Sequence, residues 1–270
     1  MIKDEVLIMA SQLLDGVTIN DYSDYKIIEI RNLSDELKEK IKNELIVICH
    51  GEYALSSASN YCSFTGTIAE LVNHRLPCEK DKRVGAIGEL LLNVIIRVLG
   101  NLEIVSPFFN IEERNVKKGF DIIAFDTNSD IWIVESKAGE LGNISNASLK
   151  VSERIHTAKR DLIDRLNNEN AQLWLNAIKS VRSSVDSTDE KKTVINLLEN
   201  LSNTNISNDK NVLLGGTVFC SYSTTIDLEK IEALYKGICA KNNFSKLQII
   251  AIQKNTFEAV VDFLYSLNVH

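Results

Sequence analysis

Residues 120–140, FDIIAFDTNSDIWIVESKAGE, place two runs rich in Ile, Val, Phe and Trp on either side of Thr127-Asn128-Ser129-Asp130, a cluster of turn formers. Such a stretch reads as a β-hairpin. A three-residue loop over 127–129 sets Asp126 opposite Asp130 and therefore Asp121 opposite Glu135. Opposed residues in an antiparallel pair share a face, with Cβ atoms about 5 Å apart. Side chains alternate along a strand, so Ile131, Ile133, Glu135 and Lys137 also share one face. Two carboxylates and an ammonium converge at one end of the hairpin, which reads as a solvent-accessible end.

The whole chain bounds what that end does. Its 270 residues, 44% of them hydrophobic, supply enough apolar material for a large core. A formal charge of -7 argues against a protein that clings to nucleic acid by bulk electrostatics, although a local basic strip is compatible with it. Cys49, Cys62, Cys78, Cys220 and Cys239, odd in number and without a C-x-x-C pair, read as reduced thiols of a cytosolic protein. Acids in MIKDEVLIMASQLLDG (1–16) break the apolar stretch a signal peptide needs, and no apolar run approaches the ~20 residues that span a bilayer. A cytoplasmic chain is expected.

Outward from the hairpin, VGAIGELLLNVIIRVLG (84–100) reads as an apolar helix ending at Gly100, followed by a strand in NLEIVSPFF (101–109). Residues 146–183 read as helical and SSVDSTDEKK (183–192) as a polar break. VLLGGTVFCSYS, a helix around 226–241, KLQIIAIQ and a final helix from about 255 give a strand-helix-strand-helix ending. Near the start, Ser34 caps a helix reaching Cys49. The polar NHRLPCEKDKR (73–83) suggests a boundary, with residues 1–80 as an α/β accessory region and 81–270 as the main domain. The fold class is α/β, a mixed sheet flanked by helices.

Paired carboxylates with oxygen-only ligation suit a hard cation, Mg²⁺ or Mn²⁺, which can present a water to a phosphate. A lysine two residues past the second acid stands beside that cation, where its ammonium offsets charge building on the phosphate. Asp121 and Glu135 are thus the expected metal ligands, and Lys137 the catalytic lysine of phosphodiester hydrolysis. Asp121, Glu135-Ser136-Lys137 and the hairpin resemble the PD-(D/E)XK nuclease core. Gly119-Phe120-Asp121 replaces the Pro-Asp of that pattern without removing a ligand. The resemblance implies a restriction-endonuclease-like core and an accessory acid from the preceding helix, for which Glu89 in GELLLNVIIRVLG is the candidate; spacing alone equally makes Glu89, Asn93 and Arg97 a solvent stripe. More narrowly, GAIGELLLNVIIR, GFDIIAF and IWIVESKAG, with the N-terminal α/β region, are similar to the HamA family, the nuclease subunit of Hachiman anti-phage defence. That resemblance implies a helicase partner, HamB, and DNA as substrate.

Lys150, Arg154, Lys159 and Arg160 lie on the helix after the E-x-K strand, where they would contact DNA phosphates; a solvated face explains any one of them as well. Cys49, His50, Cys62, His74 and Cys78 do not match zinc spacings and read as thiols and imidazoles of the fold. LLGGTVF lacks the Lys-Ser/Thr of a phosphate loop, and there is no G-x-S-x-G elbow. Three readings remain: an active metal-dependent DNA nuclease, an inactive nuclease-like binding or regulatory subunit, and an unrelated α/β domain with a chance E-x-K.

Overall fold

The computed structural model describes residues 11–109, 119–144, 146–168, 171–204 and 206–268. It opens with β1 (Ser11–Leu14), β2 (Val17–Asp21) and β3 (Tyr25–Ile30), then α1 (Asp35–His50), the short α2 (Tyr53–Ser56) and α3 (Phe64–Glu70), and the long α4 (Lys80–Leu99). β4 (Glu103–Ile104), β5 (Ile122–Phe125) and β6 (Ile131–Glu140) follow, then α5 (Ala147–Asn167), α6 (Ala171–Ser184) and α7 (Thr188–Ser202). β7 (Asn211–Phe219), α8 (Leu228–Cys239), β8 (Lys246–Lys254) and α9 (Glu258–Leu267) complete it.

Local chemistry sets the element ends. Ser34 Oγ accepts from Leu37 N and starts α1, while Gly100, at φ +68°, lets the chain turn left-handed out of α4. NLEIVSPFF, expected as a full strand, yields only the two-residue β4. Beyond it Ser106 Oγ takes the Ile123 amide that a longer strand would have bonded. The polar break expected over 183–192 shrinks to 185–187, because Ser187 caps α7 and places Asp189 and Glu190 in its first turn, where the helix dipole favours acids.

The eight strands of the described residues form one sheet in the order β1-β2-β3-β8-β7-β6-β5-β4. The central β3, β8, β7 and β6 are parallel and the wings antiparallel. Helices cover both faces, as a parallel sheet requires. On one face α1, α4 and α9 pack on Trp132, Val134, Ile250 and Ile252. On the other, α5, α6 and α8 pack on Ile131, Ile133, Leu214 and Ile249. Gly215 and Gly216 permit this closeness: a Cβ at Gly215 would lie 2.3 Å from Leu92 Cδ2 of α4, and one at Gly216 2.6 Å from Ile155 Cγ1 of α5. They are packing glycines.

The boundary expected near residue 80 does not divide the sheet. β3 pairs along its length with β8, and Leu37, Ile41 and Ile48 of α1 share one apolar cluster with Leu91 of α4 and Val134 of β6. The described part of residues 1–80 therefore supplies β1, β2 and β3 of the same sheet and a helix, α1, that packs on its face, and residues 1–10 lie outside the described chain.

Candidate functional site

The hairpin has the expected register. Ile122 pairs with Val134, Ile123 with Ile133, Ala124 with Trp132 and Phe125 with Ile131. Asp126 N donates to Asp130 O, and Ser129 takes a left-handed conformation (φ +63°) that closes the three-residue loop. At the other end the ladder stops. Asp121 leaves it, and its Oδ2 accepts from Ser136 N at 2.8 Å in place of a strand carbonyl. From Ser136 to Glu140, β6 pairs with β7 alone among the described residues.

Alternation along β6 sends Glu135 and Lys137 to the α5 face of the sheet. Asp121, Glu135 and Lys137 there face Arg160, Asp161, Asp164 and Arg165 of α5 across a groove of about 510 Å³. Lys137 Nζ donates to Glu135 Oε1 at 2.5 Å and stands 3.8 Å from Asp161 Oδ2. Arg165 donates to Glu135 Oε2 through Nη2 and to the Gly119 carbonyl through Nη1 at 2.8 Å. The end of the hairpin is thus not solvent-accessible throughout, because Glu135 is 1% exposed.

Burial explains the electrostatics. Desolvation, with the nearby Asp121 carboxylate second, pushes Glu135 up to about 7, against the pull of Arg165 and Lys137. Burial opposes the charge on Lys137, but Glu135 and Asp121 outweigh it and hold the ammonium above its usual range. The two carboxylates thus favour the ammonium form of Lys137.

Of the sequence-predicted residues, Asp121, Glu135, Lys137 and Arg160 come together. Lys159 lines a neighbouring groove with Arg160. Lys150 and Arg154 pack against Gly139, where a Cβ would lie 3.0 Å from Lys150 Cε, and both engage Glu153. They do not line the groove. Neither does Glu89: α4 covers the opposite face of the sheet, and Gly88 presses on Ala138, one residue past Lys137. Glu89 therefore stands beside the E-x-K strand but across the sheet from Glu135.

Sequence reading missed Asp161, Asp164 and Arg165. Their signal was the i, i+3, i+4 spacing, which sets them on one side of α5 along the apolar stripe Val151, Ile155, Ala158, Leu162 and Leu166.

A hard divalent cation fits this donor set. Every acidic group in the groove offers oxygen, Glu135 and Asp121 repel each other through a poorly solvated space, and no imidazole or thiolate lines it. No group of three or more His, Cys, Asp or Glu arranged to hold a metal occurs among the described residues. Mg²⁺ is commonly held by one or two carboxylates together with substrate phosphates and water, and Asp121 and Glu135 supply such a pair.

The pH dependence has a definite sign. Because Glu135 titrates higher in the folded chain than its ordinary 4.5, its contribution to stability is fully present below 4.5 and is lost as pH rises through about 7. In EDTA, the melting temperature of the wild type relative to Glu135→Gln should therefore fall between pH 5 and pH 8. Added Mn²⁺ should stabilise the wild type more at pH 8 than at pH 5.5, since it binds the ionised pair. A wild-type-minus-variant difference that stays flat with pH would contradict this electrostatic picture.

A family model described as HamA matches residues 12–267. No curated protein matches the chain. No helix among the described residues is long and apolar enough to cross a membrane.

Proposed function

The chain belongs to the HamA family, which implies a role in Hachiman anti-phage defence, and from that premise we propose that it is a metal-dependent DNA nuclease of PD-(D/E)XK type working with a helicase partner. One observation carries this reading: the register of the hairpin and the packing of α5 put the Asp121 and Glu135 carboxylates and the Lys137 ammonium into a single groove. Asp121 and Glu135 would hold Mg²⁺ or Mn²⁺, while Glu89, across the sheet from them, would take no part. The bound cation would supply Lewis acidity and an acidified water.

The chain's own groups do the rest. Arg165, tied to both Gly119 O and Glu135, fixes the Glu135 carboxylate against the hairpin. Asp121 is fixed by the Ser136 amide. Lys137, turned toward Asp161 at the groove side, places a positive charge where the phosphate would gain negative charge, which lowers the barrier by interaction with the transition state.

A second reading, a nuclease-like subunit that binds without cutting, draws on one feature: Lys137 and Arg165 already engage both oxygens of Glu135. Cleavage separates the two. With the partner present, DNA cleavage should require Mg²⁺ or Mn²⁺, stop in EDTA, and fail in Ca²⁺, whose looser coordination positions water poorly. Full cleavage in excess chelator rules out the metal mechanism, and no cleavage in any metal favours the binding subunit.

A further inference from the structure

Helix α5 separates the catalytic groove from a second one. Its residues 156, 159, 160, 163, 164 and 167 recur at i, i+3 and i+4 and so form one stripe. With Lys241 and Asn243 of the turn between α8 and β8, they line an open groove of about 680 Å³. Arg160 and Asp164 line both grooves, so the two are one continuous surface crossing the ridge of α5.

The charge of this second groove is unbalanced. Neither Lys159 nor Lys241 makes an ion pair among the described residues, yet they stand close together. Burial and then Lys241 hold the Lys159 ammonium below its usual range, and burial followed by Lys159 and Lys241 does the same to His156. Lys241 is presented by a tight turn: its amide donates to Ile238 O at 3.1 Å, that of Asn242 to Cys239 O at 2.9 Å, and Asn242 is left-handed (φ +47°). Arg160 adds a third cation and Asp164 is the one carboxylate lining the groove. A chain of formal charge -7 nevertheless crowds like charges here, an arrangement that an anion would stabilise.

We propose that this groove carries the phosphodiester backbone of the DNA, with Lys159, Lys241 and Arg160 guiding a strand over the ridge of α5 into the groove of Asp121, Glu135 and Lys137. The proposal rests on the nuclease reading for what happens at the far end, but not for binding. Phosphates neutralise the crowded ammonium groups, and this contact is independent of base sequence.

The test is binding of fluorescent single-stranded and duplex oligonucleotides to the full chain at low salt in EDTA, where no cleavage occurs. Lys159→Glu/Lys241→Glu should weaken binding at least about tenfold, and should flatten the salt dependence for single strands by about 1.4, two contacts at ~0.7 each. Lys191→Glu/Lys192→Glu, outside the groove, should leave binding unchanged, and Lys159→Gln/Lys241→Gln repeats the test without charge reversal. Relief of like-charge contact should keep Lys159→Gln/Lys241→Gln folded, and its melting temperature serves as the folding control. Hydrolysis of bis(p-nitrophenyl) phosphate by the wild type in Mn²⁺, an ester too small to reach the second groove, reads the first groove separately. Unchanged oligonucleotide affinity in the groove variants, or no binding by the wild type, overturns the proposal. Lysine-dependent binding with no hydrolysis of either substrate once Mn²⁺ and the partner are added overturns the nuclease reading and leaves this one standing.

Discussion

Glu135→Gln is expected to abolish DNA cleavage while the chain stays folded. The carboxylate is the innermost group of the groove, and the amide cannot hold a hard cation with a full negative charge. Lys137→Ala should cost about 10²–10³-fold, the usual loss on removing one group that stabilises transition-state charge. Asp121→Asn should match Glu135→Gln in effect. Glutamine is chosen over alanine for a structural reason. The sequence expectation of an accessible hairpin end implied that Glu135→Ala would melt normally, but Glu135 is buried and holds Lys137 and Arg165. Alanine leaves both cations without that partner, a loss of about 1–3 kcal/mol for a part-buried hydrogen-bonded charge. Gln keeps the volume and one acceptor. Cleavage by Glu135→Gln at the wild-type rate would remove the assignment. A Glu135→Ala chain as stable as wild type would show that the ion cluster contributes nothing to folding.

The hairpin was legible in sequence because its information is local: turn residues fix loop length, loop length fixes register, and register fixes which acids face each other. Asp121, Glu135 and Lys137 followed from that alone. Arg165 did not, since its role depends on the angle at which α5 lies over β6, and Gly216 and Ile155 set that closeness through a contact 61 residues apart in sequence. The continuity of residues 1–80 with the rest was hidden for the same reason. β3 joins β8 across more than two hundred residues, and no local pattern records which strand neighbours which. Glu89 was drawn from resemblance, and the face on which α4 packs became visible only in three dimensions.

Cleavage is expected to depend strongly on a partner. Affinity for a polyanion grows with the number of cationic contacts, and this chain, at a formal charge of -7, offers a short basic track and little attraction elsewhere. At physiological salt the isolated chain should bind DNA no tighter than the ~10⁻⁶ M end of non-specific association. A helicase that holds the duplex and feeds a strand would raise the local concentration at the groove, and millimolar effective concentrations are ordinary for tethered sites. Adding the neighbouring gene product should therefore stimulate cleavage by about 10²-fold or more, the lower end of the gain that tethering gives. Residues 1–80 are the proposed docking region, because their described part, from residue 11, contributes nothing to the groove and exposes Tyr53, Leu55 and Tyr61 within nine residues of one another. Leu55→Asp and Tyr61→Asp touch no core and should leave the melting temperature unchanged while reducing that stimulation. Nanomolar DNA binding and free degradation by the chain alone would show that no partner controls it.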